Sequence, residues 1–366
     1  MQKIFSKISN YLEAKSSTAA YFSDKRYVSI KFSDSYFHDI LLDNTNHGDF
    51  VTDLAKECAI AFIDGGNIEI AGNNNFSFQL MRIYSAIYKD KKRIKSNLQN
   101  YFVLIDTIDS NDDNGTKVMA YRVEVYQDDK LKDEFIFKSI KNGEQLKPES
   151  ALNLLRRLYE IKEAEIAADD LNQQDFIVID GDLNSKDELE KKELEALYNK
   201  ADAKNIIVLA VSKTSSKMTD SGQNLVSYIS SISNSGKWYY YPICKNNNPE
   251  HKAEIFVAKL HDQSDYAFLI DIHSNANLTF KNSDKEFNDF IENCISKSAC
   301  VLAEYSKDPV FFGYPYGLIE ADINARVQEN ERQFLQMRFM QSFKNKQFIK
   351  KLINSNKAHD VLDSIR

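Results

Sequence analysis

The chain has 366 residues and a formal net charge of −7, from 47 Lys and Arg against 54 Asp and Glu. It is 43% hydrophobic, with 23 Phe and 19 Tyr against only 11 Gly and 5 Pro. This excludes collagen-like and Pro/Gly-rich disordered chains and predicts a large packed core, in one extended domain or two. The longest apolar runs, such as Ile206 to Val211, are too short to span a bilayer, and the first 15 residues lack a signal-peptide core. Cys58, Cys244, Cys294 and Cys300 form no CxxC pair, so neither a zinc site nor a disulfide framework is indicated. These features together point to the cytoplasm and to no membrane partner.

In chain order, residues 1–45 read as a short amphipathic helix (Ile4, Ile8, Leu12) followed by irregular aromatic-rich sequence, an N-terminal arm. Asp53 to Ala61 suggests a short helix running into a buried strand, Ala59 to Ile63, which ends at Asp64-Gly65-Gly66. Phe76 to Tyr88 alternates as a strand, and Tyr101 to Ile108 and Lys117 to Tyr126 add two more. Pro148 to Ala168 is a helix. Phe176 to Ile179 is a β-branched strand ending at Asp180-Gly181, and Lys186 to Lys200 is a charged helix. Ile206 to Val211 is a buried strand ending at Ser212-Lys213. Strands follow near 237–244, 254–260 and 266–273, then a helix over 284–304 and a long one over 319–353.

Early hairpins followed by helix-linked strands predict a mixed α/β sheet flanked by helices, with additional strands and a long C-terminal helix. The ribonuclease H-like fold has this order and carries acids at its strand ends. The domain with these elements would cover residues 46–330, followed by a tail over 331–366. Residues 338–366 carry seven Lys/Arg and two Asp, a net of +5, which leaves −12 on the rest. A basic tail on an acidic body suits a polyanion or an acidic partner surface.

Asp64 and Asp180 each follow an apolar strand and precede glycine. Ligand sites of open α/β sheets form at the carboxyl ends of strands, although Asp-Gly is also a common turn. The helix 148–168 has an apolar stripe of Leu152, Leu155, Tyr159 and Ile166, and Glu163 falls on it. A core-facing glutamate needs a partner or a metal. Glu160 is the next candidate, although it lies nearer the Arg156/Arg157 side. Asp322 comes early in the last helix, where the dipole also favours an acid. Such acids suit Mn²⁺ or Mg²⁺, and two-metal chemistry transfers phosphoryl groups to water. Lys213 is placed to add positive charge at a phosphate.

Four other features admit two readings each. Asp271 and His273 alternate on one strand, as a metal pair or as a solvent-facing edge. Trp238 to Tyr241 suits base stacking or core packing. Arg82 suits a phosphate contact or an exposed sheet position. The scattered histidines show no ligand spacing.

The segments Phe62-Ile63-Asp64-Gly65-Gly66, Ile177 to Leu183, Val211 to Thr214 and Gly313-Tyr314-Pro315-Tyr316-Gly317-Leu318-Ile319-Glu320-Ala321-Asp322 together resemble the NurA nuclease family. They occur in the family's order over about residues 59–325. The resemblance implies a ribonuclease H-like core and a Mn²⁺-dependent 5′ to 3′ exonuclease and single-strand endonuclease acting on DNA. It also implies a homodimer that works with the hexameric ATPase HerA in DNA end resection. Asp64, Asp180 and Glu163 or Glu160 would be catalytic acids and metal ligands, with Asp322 completing the set, and Tyr314 or Tyr316 would line the site. Two positions depart from the family: Gly66 stands where it has Ser, and Asp322 where it has His, so Asp322 cannot serve as a neutral imidazole base. No GxxxxGK[ST] segment is present, so the motor would come from a partner. The same residues also fit a catalytically weak NurA-like scaffold of a HerA complex.

Overall fold

A computed structural model describes residues 2–17, short pieces between 30 and 48, and residues 58–343 apart from short gaps, the longest at 275–283. The expected helix start at Asp53 and the tail beyond residue 343 lie outside the described residues. Two compact units divide the chain: Met1–Lys56, Gly181–Asn184 and Leu209–Pro315 form one, and Glu57–Asp180, Ser185–Val208 and Tyr316–Arg366 the other.

The helices are α1 (Gln2–Ser17), α2 (Pro148–Ala167), α3 (Glu188–Lys204), α4 (Leu225–Ile232), α5 (Asp284–Glu304), α6 (Tyr316–Ala325) and α7 (Glu329–Gln341). The principal strands are β1 (Ile60–Gly72), β2 (Phe76–Lys89), β3 (Lys92–Asn111), β4 (Lys117–Gln127), β5 (Lys130–Lys138), β6 (Phe176–Asp180), β7 (Ile207–Ser212), β8 (Trp238–Tyr240), β9 (Glu254–Lys259) and β10 (Phe268–His273).

In the second unit β1 to β5 form an antiparallel meander. Two-residue turns at Asp90-Lys91 and Asp128-Asp129, all four with positive φ, close two of its hairpins and match the strand twist. Helix α2 then returns the chain, and β6 pairs with β1 in parallel. After α3, β7 starts beside β6, with Ile207 N donating to Asp175 O at 3.0 Å. The strand order β3-β2-β1-β6, continued by the start of β7, antiparallel on one side of β1 and parallel on the other, is ribonuclease H-like. The fold is therefore the expected mixed α/β class, and β4 and β5 extend its antiparallel edge.

Helices cover both faces of this sheet. Along a strand, neighbouring side chains point to opposite faces. Helix α2 lies over the face of Ser85 and Asn97, both of which bond Glu163. Helix α6 lies over the face of Phe62 and Tyr84. Gly317 sits directly on Phe62: a Cβ there would fall 2.1 Å from its ring. Tyr84 Oη donates to Glu320 at 2.7 Å, and Tyr88 and Arg93 bond the same carboxyl.

The single helix expected over 319–353 is two helices in the described part. Val327, 7% exposed, joins Ile70 and Leu80 in a small core cluster. Turning it inward leaves Gln328 extended at φ −76°, ψ 150°, which breaks the helix.

In the first unit β8, β9 and β10 are antiparallel neighbours. Their core includes Leu42, Leu225, Ile229, Trp238, Tyr240, Val257 and Leu269. Trp238, Tyr239 and Tyr240 are all buried, which corrects their reading as a base-stacking surface. Asp271 and His273 are buried too, which corrects their reading as a solvent-facing edge. Asp271 Oδ2 accepts from Leu183 N at 2.8 Å, and His273 Nδ1 lies 2.5 Å from Lys252 O.

Candidate active site

The second unit places Asp64 and Asp180 on adjacent strands and Glu160 within reach of both charges. Ile179 pairs with Ile63 across parallel strands, so the next residues, Asp180 and Asp64, stand level; Asp180 ends β6, but Asp64 lies within β1, which runs on to Gly72 instead of ending at Asp64 as expected. Apolar runs drive both strands into the core: Phe62, Ile63, Val178 and Ile179 are fully buried. Asp64 is buried and its Oδ1 accepts from Gly65 N at 2.7 Å. Beyond Asp180 the chain turns at Gly181, whose φ of 113° disfavours other residues.

Helix α2 brings Glu160, rather than Glu163, over β1. Its carboxyl lies over Gly65, where a Cβ would come 2.6 Å from Oε1. Burial pushes the Glu160 carboxyl up to about 8; Arg156 and Arg157 oppose the rise, and Asp64 and Asp180 add to it. Each of these carboxylates lies close enough to act on Glu160.

Glu163, the first-choice ligand, is placed elsewhere. Its Oε1 accepts from Ser85 Oγ at 2.5 Å and from Asn97 Nδ2 at 2.9 Å, over β2 and β3 rather than the end of β1. The apolar stripe does turn Glu163 toward the sheet, but toward polar partners. Asp322 forms an i,i+4 ion pair with Arg326 and is not among the leading charges on Glu160. The acid of α6 that meets the sheet is Glu320. Tyr316 packs edge-on against Tyr88, and its Oη donates to Lys91 O at 3.2 Å. Lys213 belongs to the first unit, where its Nζ stands 5.6 Å over the Tyr314 ring. Arg82 grips Glu331 of α7.

The sequence reading missed two cations. Arg156 donates to Gly65 O at 3.0 Å and Arg157 to Asp180 O at 3.2 Å, so each bonds the backbone at or next to a candidate acid. Their position one turn before Glu160 was the available signal.

The donor set is all oxygen, which suits hard divalent cations. A buried carboxyl raised by burial and by two neighbouring acids is also a group whose ionised form a cation would favour. Among the described residues, no group of three or more His, Cys, Asp or Glu side chains is placed to hold a metal ion. Arg156 lies 3.6 Å from Glu160 Oε1, and Asp64 is turned onto Gly65 N.

A family model described as "NurA domain" matches residues 58–327. The chain belongs to the NurA family. Membership in this nuclease family covers the whole meander, α2, both acid-bearing strands and α6. Among solved structures, this NurA chain is similar to the Argonaute of A. aeolicus, at 10% identity and a TM-score of 0.34, covering 75% of this chain and 30% of that one. It is also similar to the catalytic domain of human Endonuclease V, at 11% identity and a TM-score of 0.35, covering 77% and 87%. The chain thus spans less than a third of the Argonaute's length. No curated protein matches. Among the described residues, no helix is long and apolar enough to cross a membrane.

Proposed function

We propose that this NurA-family nuclease hydrolyses phosphodiester bonds of DNA, acting on single strands and ends, in a reaction that depends on Mn²⁺ or Mg²⁺. This reading is supported by Asp180, at the end of β6, and Asp64, level with it on the parallel strand β1, both of whose charges act on the buried Glu160 carboxyl. These three would hold the metal. A bound divalent ion supplies charge stabilisation at the phosphate and a lowered pKa for attacking water. Arg156 and Arg157 orient the backbone beside the acids through their carbonyl bonds and balance acidic charge at the site. Gly65 leaves the space that lets the Glu160 carboxyl approach. Water is the nucleophile, and no covalent enzyme intermediate is required.

The finer parts of the proposal rest on the family resemblance: 5′ to 3′ exonuclease with single-strand endonuclease activity, a homodimer, and a HerA-type hexameric ATPase as partner in DNA end processing. The absence of a P-loop in this sequence agrees with a motor supplied from outside. The test is cleavage of end-labelled single-stranded DNA with Mn²⁺, Mg²⁺ or chelator, beside Asp64→Ala. Metal-dependent cutting lost in Asp64→Ala is the expected result. Cutting that survives both chelator and Asp64→Ala overturns the proposal.

A second reading, a weakly active scaffold of a HerA-type complex, is favoured by the Asp322–Arg326 ion pair, which occupies the acid that stands in place of the family's His. Copurification with the ATPase but no cutting in either metal, with or without that ATPase, would select it.

A further inference from the structure

Residues 89–95, around the turn between β2 and β3, read Lys-Asp-Lys-Lys-Arg-Ile-Lys: five cations against one acid, in a chain of net charge −7. All of them are exposed. Two of the cations are paired within the fold, Arg93 with Glu320 and Lys95 with Asp170. The others, Lys89, Lys91 and Lys92, surround the turn, and among the described residues neither Lys89 nor Lys92 has an ion-pair partner. Like charges this close repel, and a bound polyanion would offset that repulsion.

Folding alone does not call for lysine here. Asp90 and Lys91 have φ of 50° and 63°, in the mirror-image turn where glycine is favoured and lysine is strained. Asp128 and Asp129 close the β4–β5 hairpin with the same sign of φ, and there the chain carries acids. Cations also guard sheet edges, but Lys91 lies between the two strands. The turn is held in place: Tyr316 Oη donates to Lys91 O at 3.2 Å, and the Tyr316 ring packs edge-on against Tyr88. Its distance from the acids is set by β2. Tyr84 pairs with Asp64, and Lys89 is further along the same strand by ~17 Å, at about 3.4 Å per residue.

We propose that Lys89, Lys91 and Lys92 hold phosphates of the DNA backbone, roughly five positions from the bond being cut when the strand is in a duplex. The place of the cut rests on the nuclease reading; the binding does not. Phosphate contacts position a strand and carry no base sequence.

The test is binding of the full chain to a labelled single strand and to the matching duplex, by fluorescence anisotropy in chelator, over a salt series. Each phosphate contact adds about 0.7 to 0.9 to the slope of log affinity against log salt. Lys89→Gln, Lys91→Gln and Lys92→Gln combined should lower that slope by about 2 to 3 and weaken binding about tenfold or more at low salt. The loss should be the same for strands of different sequence, and arginine at all three positions should restore binding. Lys91→Gly, which suits the turn, should lower the slope by about one contact and covers the case in which the combined variant fails to fold. Loss on the single strand, the duplex or both supports the proposal and says which form the turn holds. No DNA binding by the parent, or affinity and slope in both variants equal to the parent's, overturns it; the latter would leave the turn to an acidic protein surface. Weakened binding in the variants, with no cleavage by the parent in Mn²⁺ or Mg²⁺, would overturn the nuclease reading alone.

Discussion

The Glu160 carboxyl sits over Gly65, 2.6 Å from where a Cβ at residue 65 would lie. The other obstacles to that Cβ are Cδ1 of Ile83 and Cγ of Arg156, at 2.8 and 3.0 Å. All three are side-chain atoms rather than backbone, and the Glu160 and Ile83 atoms are chain ends that can give way. Gly65→Ala should therefore cost the fold only about 1–3 kcal/mol, at the low end of overpacking. It should cost cleavage far more, about tenfold or greater, because the carboxyl is pushed from Asp64 and Asp180. Denaturant unfolding and single-turnover cleavage, measured on the same variant, check this. Loss of stability without loss of cleavage would contradict it.

The buried state of Glu160 predicts a stability-versus-pH effect. The group titrates near 8 in the folded chain and near 4.5 when exposed. Between those values the unfolded chain has released a proton that the folded chain keeps, so stability falls as pH rises through this window. Glu160→Gln removes that term. Without added metal, its melting temperature should fall less than the parent's between pH of about 5 and 8. Parallel curves for the two proteins would refute the assignment.

The same proton bears on metal binding. Ligands must be deprotonated to bind, so at pH near 7 Mn²⁺ should displace most of one proton from Glu160. Calorimetry in buffers of different ionisation enthalpy reads that proton directly. Mn²⁺ affinity should rise with pH up to about 8 and then level. A heat of binding that does not depend on the buffer would count against Glu160 as a ligand.

Helix α6 is anchored at three points along β1 and β2. Gly317 rests on the Phe62 ring, the Ala325 carbonyl lies 2.5 Å from a Cβ built on Gly66, and Glu320 receives Tyr84, Tyr88 and Arg93. Glu320→Gln should destabilise by about 1–3 kcal/mol by leaving buried donors poorly matched. Gly66→Ser should also destabilise, because its obstacle is backbone and the helix end must shift. Both are measured by denaturant unfolding. A neutral Gly66→Ser would show that α6 does not press on β1 as described.

Much of this was legible in the sequence, and the failures share one cause. The apolar runs before Asp64 and Asp180 placed both on core strands, since that signal is local, but the turn expected at Asp64-Gly65-Gly66 is absent because β1 runs on to Gly72. The choice between Glu160 and Glu163 was not local. Helical periodicity turned Glu163 inward correctly, but it could not see that Gly65 clears room for Glu160 or that Ser85 and Asn97 await Glu163. Arg156 and Arg157 read as solvent-facing because their carbonyl partners are 91 and 23 residues away. The break at Val327 depends on a small core cluster with Ile70 and Leu80, far upstream in the chain.

The central claim is that Asp64, Asp180 and Glu160 act as one site. The most direct measurement is single-turnover cleavage of end-labelled single-stranded DNA in Mn²⁺ by Glu160→Gln, with melting curves to confirm the fold. The account predicts that cleavage falls at least 100-fold while the folded state is kept, and that Asp64→Asn and Asp180→Asn behave alike. Cleavage by Glu160→Gln at the parent's rate would contradict it.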